Sequence, residues 1–237
     1  MSRLRAYANN GMEGYIEMNI VIILSGGSGL RFGGELPKQY HILSGKEVIA
    51  YSIDSSLKSS LAEEIIIIAG AQHIDRLAGT YGVLCIEGGD SRNESLKKGL
   101  DYIKDKYSIC EKVFINEAAR PFLTAQIVDN YYRLLDEYDA VITAQHITDS
   151  LGRDGEAVTN RDEYYLVQAP EAFRFDYLYE HFAADSPITA TVQQLPPERN
   201  VYNYFDFKNN MKITYPEDLH HAEQIMRQFC GEDARER

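Results

Sequence analysis

The sequence predicts an α/β fold: a doubly wound, mostly parallel sheet with one projecting β-arm. Three observations carry that expectation. Apolar runs without period-two polarity recur along the chain, segments of helical spacing lie between them, and one polar stretch breaks the alternation. The 237 residues suit one large domain, placed at 18–237, and a hydrophobic content of 44% is enough for a sizeable core. Residues 1–17, MSRLRAYANNGMEGYIE, are polar and unpatterned and read as a disordered extension before a domain that begins near Met18.

The elements follow in order. Runs near 20–24, 65–69, 83–86, 112–115 and 140–144 are the expected buried parallel strands. Ile49, Ile53 and Leu57 recur every four residues, Leu96, Leu100 and Ile103 share a face, and Ile127, Tyr131, Leu134 and Tyr138 mark a helix over 126–138. A last helix begins around TYPEDL, where Pro216 suits the first turn and Glu217 and Asp218 complement the positive helix end. Residues 145–168 are polar, with GRDGEAVTN at their centre and short extended runs on either side, and this reads as the arm.

Composition closes several routes. A net charge of −12 disfavours wholesale binding to nucleic acid or an anionic membrane, although a local basic cleft is compatible with it. The apolar runs fall far short of the ~20 residues that a membrane helix needs. Cys85, Cys110 and Cys230 are scattered, without a CxxC pair, so a disulfide framework or zinc site is not expected and a reducing, cytoplasmic setting fits. The six histidines show no HxxxH or HExxH spacing, and Ser25 lacks a GxSxG context. The tyrosine-rich stretches NYYRLLDEY and VYNYF read as packing or dimer surface, and KKGLDYIKDKY as a solvated helix face.

The chemistry concentrates in LSGGSGLRFGGELPK, residues 24–38, which leaves a buried strand at its carboxyl end. Open α/β sheets bind ligands there. Glycine lets backbone N–H groups approach phosphate oxygens closely. The stretch has no GK followed by Ser or Thr, so it is not a P-loop. Phe32 stands where the dinucleotide fingerprint needs its third glycine. A phosphate cradle with two cations is left, Arg31 able to fork onto two oxygens and Lys38 a point charge. The alternative from spacing alone is a glycine turn with two surface cations.

Four stretches in order then resemble one family. ILSGGSGLRFGGELPKQY, GGDSRNESLKKGL, INEAARPF and NNMKITYPEDL are similar to the signature motifs of the cytidylyltransferases that make CDP-methylerythritol and CDP-ribitol. TDSLGR and NRDEYYLVQAPEAF match more weakly. The resemblance spans 18 to about 228. It implies a Rossmann-like nucleotidyltransferase fold in which the phosphate of a polyol phosphate attacks the α-phosphorus of CTP and pyrophosphate leaves. It implies that Arg31, Lys38 and Lys212 are catalytic, Lys212 from a strand end. It assigns CTP to Ser25, Gly26, Gly27, Gly29, Gly89, Asp90, Ser95 and Ala118, with a helix cap as the plain reading of Asp90. It assigns the acceptor to Glu117, Arg120, Ser150 and Arg161, the last two reaching in from the partner's arm of a homodimer. Mg²⁺ would be carried mainly by the CTP phosphates, so no metal ligand is named.

The departures from the family pattern fall on the acceptor side. Glu117 stands for Asp, Ala169 for Thr, and TATV, including Ala190, for an acidic stretch. They lead to the expectation that methylerythritol phosphate is not strongly preferred over ribitol phosphate or other polyol phosphates. Methylerythritol 4-phosphate is the first acceptor on the resemblance and ribitol 5-phosphate the next. A non-catalytic nucleotide-binding relative is the alternative from a different class.

Overall fold

A computed structural model describes residues 18–27, 29, 31–107, 109–155 and 160–233, so the extension expected over 1–17 lies outside the described residues. A mixed sheet of seven strands runs in the order β5-β4-β1-β6-β8-β7-β9. Its strands are β1 (Met18–Ser25), β4 (Glu64–Ala69), β5 (Leu84–Glu87), β6 (Cys110–Glu117), β7 (Ala140–His146), β8 (Tyr165–Arg174) and β9 (Val201–Tyr204). A two-residue pair, β2 (Ile42–Leu43) and β3 (Lys46–Glu47), forms a separate antiparallel ribbon. β1 pairs in parallel with both β4 and β6, and β4 with β5. The expected parallel strands are therefore present, β1, β4 and β6 covered on both faces as their continuous apolar character requires, and the edge strand β5 only half-buried.

Alternation along β1 divides the core. Val21 and Ile23 face the layer of α1 (Val48–Lys58) and α4 (Ala125–Leu134), where Ile49, Ile53, Val128 and Tyr131 are buried. Ile20 and Ile22 face α3 (Arg92–Lys106) and α5 (Phe175–His181) through Leu96, Leu100, Ile103 and Leu178. Each fully buried side chain of this size contributes about 1.5–3 kcal/mol by removal from water. KKGLDYIKDKY is thus a solvated face only in its lysines and acids, since Leu100 and Ile103 are fully buried. Tyr131 and Tyr132 pack against Phe114 in the interior, as the packing reading expects. α6 (Glu217–Asp233) lays Ala222 against a smaller cluster with Phe32, Leu43, Val48 and Ile213.

Three features differ from the sequence expectation. β8 is a ten-residue central strand, antiparallel to β6 and β7, where only the short margins of an arm were expected. Pro170 and Glu171 within it argue against a central strand. The sheet accommodates them with a register shift between Ile142 and Thr143, beyond which Thr143 pairs with Gln168 and its Oγ1 donates to the Pro170 carbonyl at 2.8 Å. The arm itself is present as the continuation of β7 and β8, paired out to His146 and Tyr165, while residues 156–159 lie outside the described set. α4 stops at Leu134, so Tyr138 stands beyond it, packed on Tyr202. α2 (Ile74–Tyr81) and α5 escaped notice because two turns offer too few apolar positions for a period.

Candidate active site

A cleft of about 700 Å³ opens at the carboxyl ends of β1 and β6. It collects Ser25, Gly26, Gly27, Gly29, Arg31, Lys38, Gly89, Asp90, Ser95, Glu117, Ala118 and Lys212 from positions as far apart as 25 and 212. The sequence reading named every one of these. Four cations line it, Arg31, Lys38, Arg92 and Lys212, against two acids, Asp90 and Glu117. A chain of net charge −12 thus carries a cleft of opposite sign.

The first wall is the loop after β1. Gly29 has φ +68°, and a Cβ there would meet the Lys38 backbone nitrogen at 3.3 Å, so glycine is required. The buried Gln39 donates to the Ser25 and Gly27 carbonyls at 2.8 and 3.1 Å. The Tyr40 hydroxyl lies 3.0 Å from Ser25 Oγ. These bonds fix the loop from below without filling the cleft. Lys38 projects in, and burial first, then the charge of Lys212, lowers its pKa to about 8.

The second wall is the turn from β5 into α3. Ser91 caps the helix, its Oγ accepting from Glu94 N–H at 3.1 Å, while the Glu94 carboxylate accepts from Asp90 N–H at 2.8 Å. The cap is therefore Ser91, with Glu94 reaching back to the N–H of the residue before it, and Asp90 is left to face the cleft. Ser95 Oγ accepts from Gly89 N–H at 3.0 Å. Both N–H groups of the turn are engaged, the Gly88 carbonyl accepts from Lys98 Nζ at 2.6 Å and the Gly89 carbonyl from Ser95 Oγ at 3.3 Å, so the second lone pair of such a carbonyl is what the turn can offer a ligand.

The third wall is an ion cluster. Lys212 Nζ lies 2.8 Å from each Glu117 oxygen, and Arg120 Nε donates to Glu117 Oε2 at 3.1 Å. Burial raises the Glu117 carboxyl, but Lys212 and then Arg120 outweigh it and hold the pKa down at about 2. Lys212 sits in an extended loop and not at a strand end as expected, anchored by Ile213 N–H donating to the Ala119 carbonyl at 2.8 Å. Arg120 is buried behind Glu117 and donates to the Asn210 carbonyl at 2.9 Å, so it fixes the cluster and does not line the cleft.

Ser150 and Arg161 are exposed on the arm and do not line this cleft, and Arg161 donates to the Thr148 carbonyl. Ala169 and Ala190 do not line it either, so of the departures only Glu117 is a cleft residue. Six cleft residues were quoted in the motifs but given no role, Leu24, Ser91 and Ala119 among them. Gln39 follows Lys38, Arg92 follows Ser91, and Thr214 is two beyond Lys212.

The loop–strand–loop arrangement, with its cations converging on one polar cleft, defines a nucleotide-handling α/β protein. The particular family follows from comparison. The family model IspD, 2-C-methyl-D-erythritol 4-phosphate cytidylyltransferase, matches residues 19–228, and the chain belongs to that family. The 2-C-methyl-D-erythritol 4-phosphate cytidylyltransferase of Clostridium acetobutylicum is 30% identical over 228 residues, covering 89% of this chain and 98% of the relative. That of Lachnospira eligens is 32% identical over 230 residues, covering 85% of this chain and 96% of the relative. The crystal structure of 4-diphosphocytidyl-2C-methyl-D-erythritol synthase from Anaerococcus prevotii superposes with a TM-score of 0.75 at 23% identity, covering 89% of this chain and 96% of its own, which bears on the fold.

Proposed function

We propose that the chain transfers CMP from CTP to 2-C-methyl-D-erythritol 4-phosphate, an isoprenoid precursor, with release of pyrophosphate. The observation that carries this reading is the convergence of Arg31, Lys38 and Lys212 on one cleft, within a chain whose family is that of this reaction. Phosphoryl-type transfer asks the protein for alignment and charge stabilisation more than for covalent help. Arg31 and Lys38 hold the triphosphate and stabilise the negative charge gathering at its α-phosphorus. The backbone of Gly27 and Gly29 approaches the phosphates. Lys212, aimed by Glu117, bridges the α-phosphate and the incoming acceptor phosphate. Glu117, ionised well below neutral pH, has no proton to give and acts as the fixed counter-charge.

The carbonyl oxygens of Gly89 and Asp90 accept from the 4-amino group of cytosine, where uracil presents another acceptor, and that polarity selects CTP. Magnesium would be carried mainly on the triphosphate. The two cleft acids do not make a protein cage, Glu117 being paired with two cations, and among the described residues no group of three or more His, Cys, Asp or Glu could hold a metal. When bound it would neutralise phosphate charge.

The acceptor pocket is completed by Ser150 and Arg161 from a second copy, making the working unit a homodimer. Both are exposed and away from their own cleft, and Tyr164, Tyr165 and Leu166 expose an apolar strip on the same arm. The cytoplasm suits its substrates. Among the described residues no helix is long and apolar enough to cross a membrane. The test is pyrophosphate release from CTP and Mg²⁺ with 2-C-methyl-D-erythritol 4-phosphate, ribitol 5-phosphate and glycerol phosphate. Release should be fastest with the first, and release with none of them would remove the reading.

A further inference from the structure

Glu171 is a carboxylate with 2% of its surface exposed, set in β8. Such a group is tolerated only when partnered. It accepts from Val192 N–H at 2.9 Å and Thr191 N–H at 3.2 Å, and from Arg92 Nη2 at 3.3 Å. Arg92 in turn donates from Nη1 to the Thr189 carbonyl at 2.7 Å and to Thr191 Oγ1 at 3.2 Å. One side of the guanidinium is thereby fixed against the 189–192 segment. Among the described residues, the Nε–H and one Nη2–H have no protein partner, and Arg92 lines the cleft.

The cost of this arrangement is informative. Burying an ion pair costs desolvation, and an apolar replacement of similar volume is often as stable or more so. Apart from holding the Thr191 and Val192 N–H groups, the fold therefore gains little from the ion pair itself. A guanidinium that must stand charged at one point of the cleft wall gives the carboxylate a purpose. The position also fits: the Arg92 charge is felt at both Glu117 and Arg120.

We propose that Arg92 is a further substrate-binding residue, taking an oxygen of the acceptor's phosphate, and that Glu171 is the positioning residue that fixes it. This rests on the reading of the cleft as a transferase for a polyol phosphate. Phosphate is the ligand that a partly used guanidinium suits best, because its two remaining N–H bonds can each take an oxygen.

The test is steady-state kinetics of the full chain with CTP and 2-C-methyl-D-erythritol 4-phosphate, comparing wild type, Arg92→Lys, Glu171→Gln and the double variant, with unfolding midpoints taken alongside. Lysine keeps the charge but cannot serve Glu171, the 189–192 segment and a phosphate together. The KM for the acceptor should rise about tenfold in each single variant while that for CTP stays within about twofold. The double variant should raise the acceptor KM no further than Arg92→Lys, because Glu171 acts on the acceptor only through Arg92, whereas its hold on the Thr191 and Val192 N–H groups is read in the unfolding midpoint. An unchanged acceptor KM, or both KM values and the unfolding midpoint moving together, overturns the inference and leaves the transferase reading standing. A wild type inactive with every polyol phosphate overturns the reading and the inference with it.

Discussion

The two halves of the cleft are held in different ways. On the nucleotide side, the loop after β1 and the turn before α3 are fixed by local bonds, Gln39 to Ser25 and Gly27, and Ser95 to Gly89, within spans of six to fourteen residues. On the acceptor side, Lys212 meets Glu117 across 95 residues, Arg120 reaches Asn210 across 90, and Arg92 reaches Glu171 across 79. Local hydrogen bonds make a rigid cradle that depends on little else. Long-range ion pairs make a wall whose geometry depends on the docking of the 210–214 loop and of β8. Changes that remove charge should therefore act through chemistry alone on the first side and through arrangement as well on the second.

The largest effect should come from the cations that touch the reacting phosphates. Lys38→Ala and Lys212→Ala should each lower kcat by roughly 10²–10³, the scale of one lost preorganised donor, in a pyrophosphate-release assay. Lys38→Ala should leave the unfolding midpoint near that of wild type. Near-normal turnover in either would remove these assignments.

Glu117→Gln should separate the two sides next. It leaves Arg120 buried beside a neutral partner, and removing one member of such a pair typically costs about 3–5 kcal/mol, here reduced because Glu117 is partly exposed. A lower midpoint and a raised acceptor KM are expected, with the CTP KM little changed. The pH dependence has a definite sign. The folded carboxyl lies at about 2 and an unfolded glutamate at about 4.5, so this contribution is fully present above pH 4.5 and is lost as pH falls through 2. The comparison is the acid limb of stability for wild type and Glu117→Gln. Equal slopes would mean that the cluster contributes nothing.

A smaller and purely steric effect should appear at the nucleotide wall. A Cβ on Gly89 would come within 2.4 Å of the Glu94 Cβ and 3.1 Å of its backbone carbonyl carbon, so the first turn of α3 would have to shift. Gly89→Ala should raise the CTP KM about tenfold and leave the acceptor KM alone, the reverse of Glu117→Gln. An effect on the acceptor instead would mean that the two walls are not independent.

The smallest effect is a pH limb. Lys38, lowered to about 8, loses its charge as pH rises through that value, so kcat/KM for CTP should fall above pH 8 in the free enzyme. Replacing Lys38 with arginine, which stays charged, should move the limb upward. A limb that stays in place belongs to another group.

The same contrast explains what the sequence could disclose. The parallel strands and their helices were legible because apolar runs and four-residue recurrences are local signals. The cradle was legible because glycines and cations lie within one stretch. β8 was hidden by Pro170 and Glu171, which only a register shift allows in mid-sheet. The partnership of Arg92 with Glu171 was hidden too, since no local pattern ties residues 79 apart. Lys212 was found through motif resemblance, but its loop setting and its hold on Glu117 needed the topology. Ala169 and Ala190 read as acceptor departures in sequence, and the fold keeps both off the cleft.

The central claim is that this cleft joins the phosphate of a polyol phosphate to the α-phosphorus of CTP. Phosphorus NMR of the full chain with CTP, Mg²⁺ and 2-C-methyl-D-erythritol 4-phosphate tests it directly, because it shows which bonds form. The account predicts that the acceptor's monoester signal is replaced by a pair of coupled diphosphate-diester signals, with pyrophosphate appearing in equal amount. Orthophosphate or free CMP with the monoester signal unchanged would mean that the cleft hydrolyses the nucleotide. That result, or an unaltered spectrum, would contradict the account.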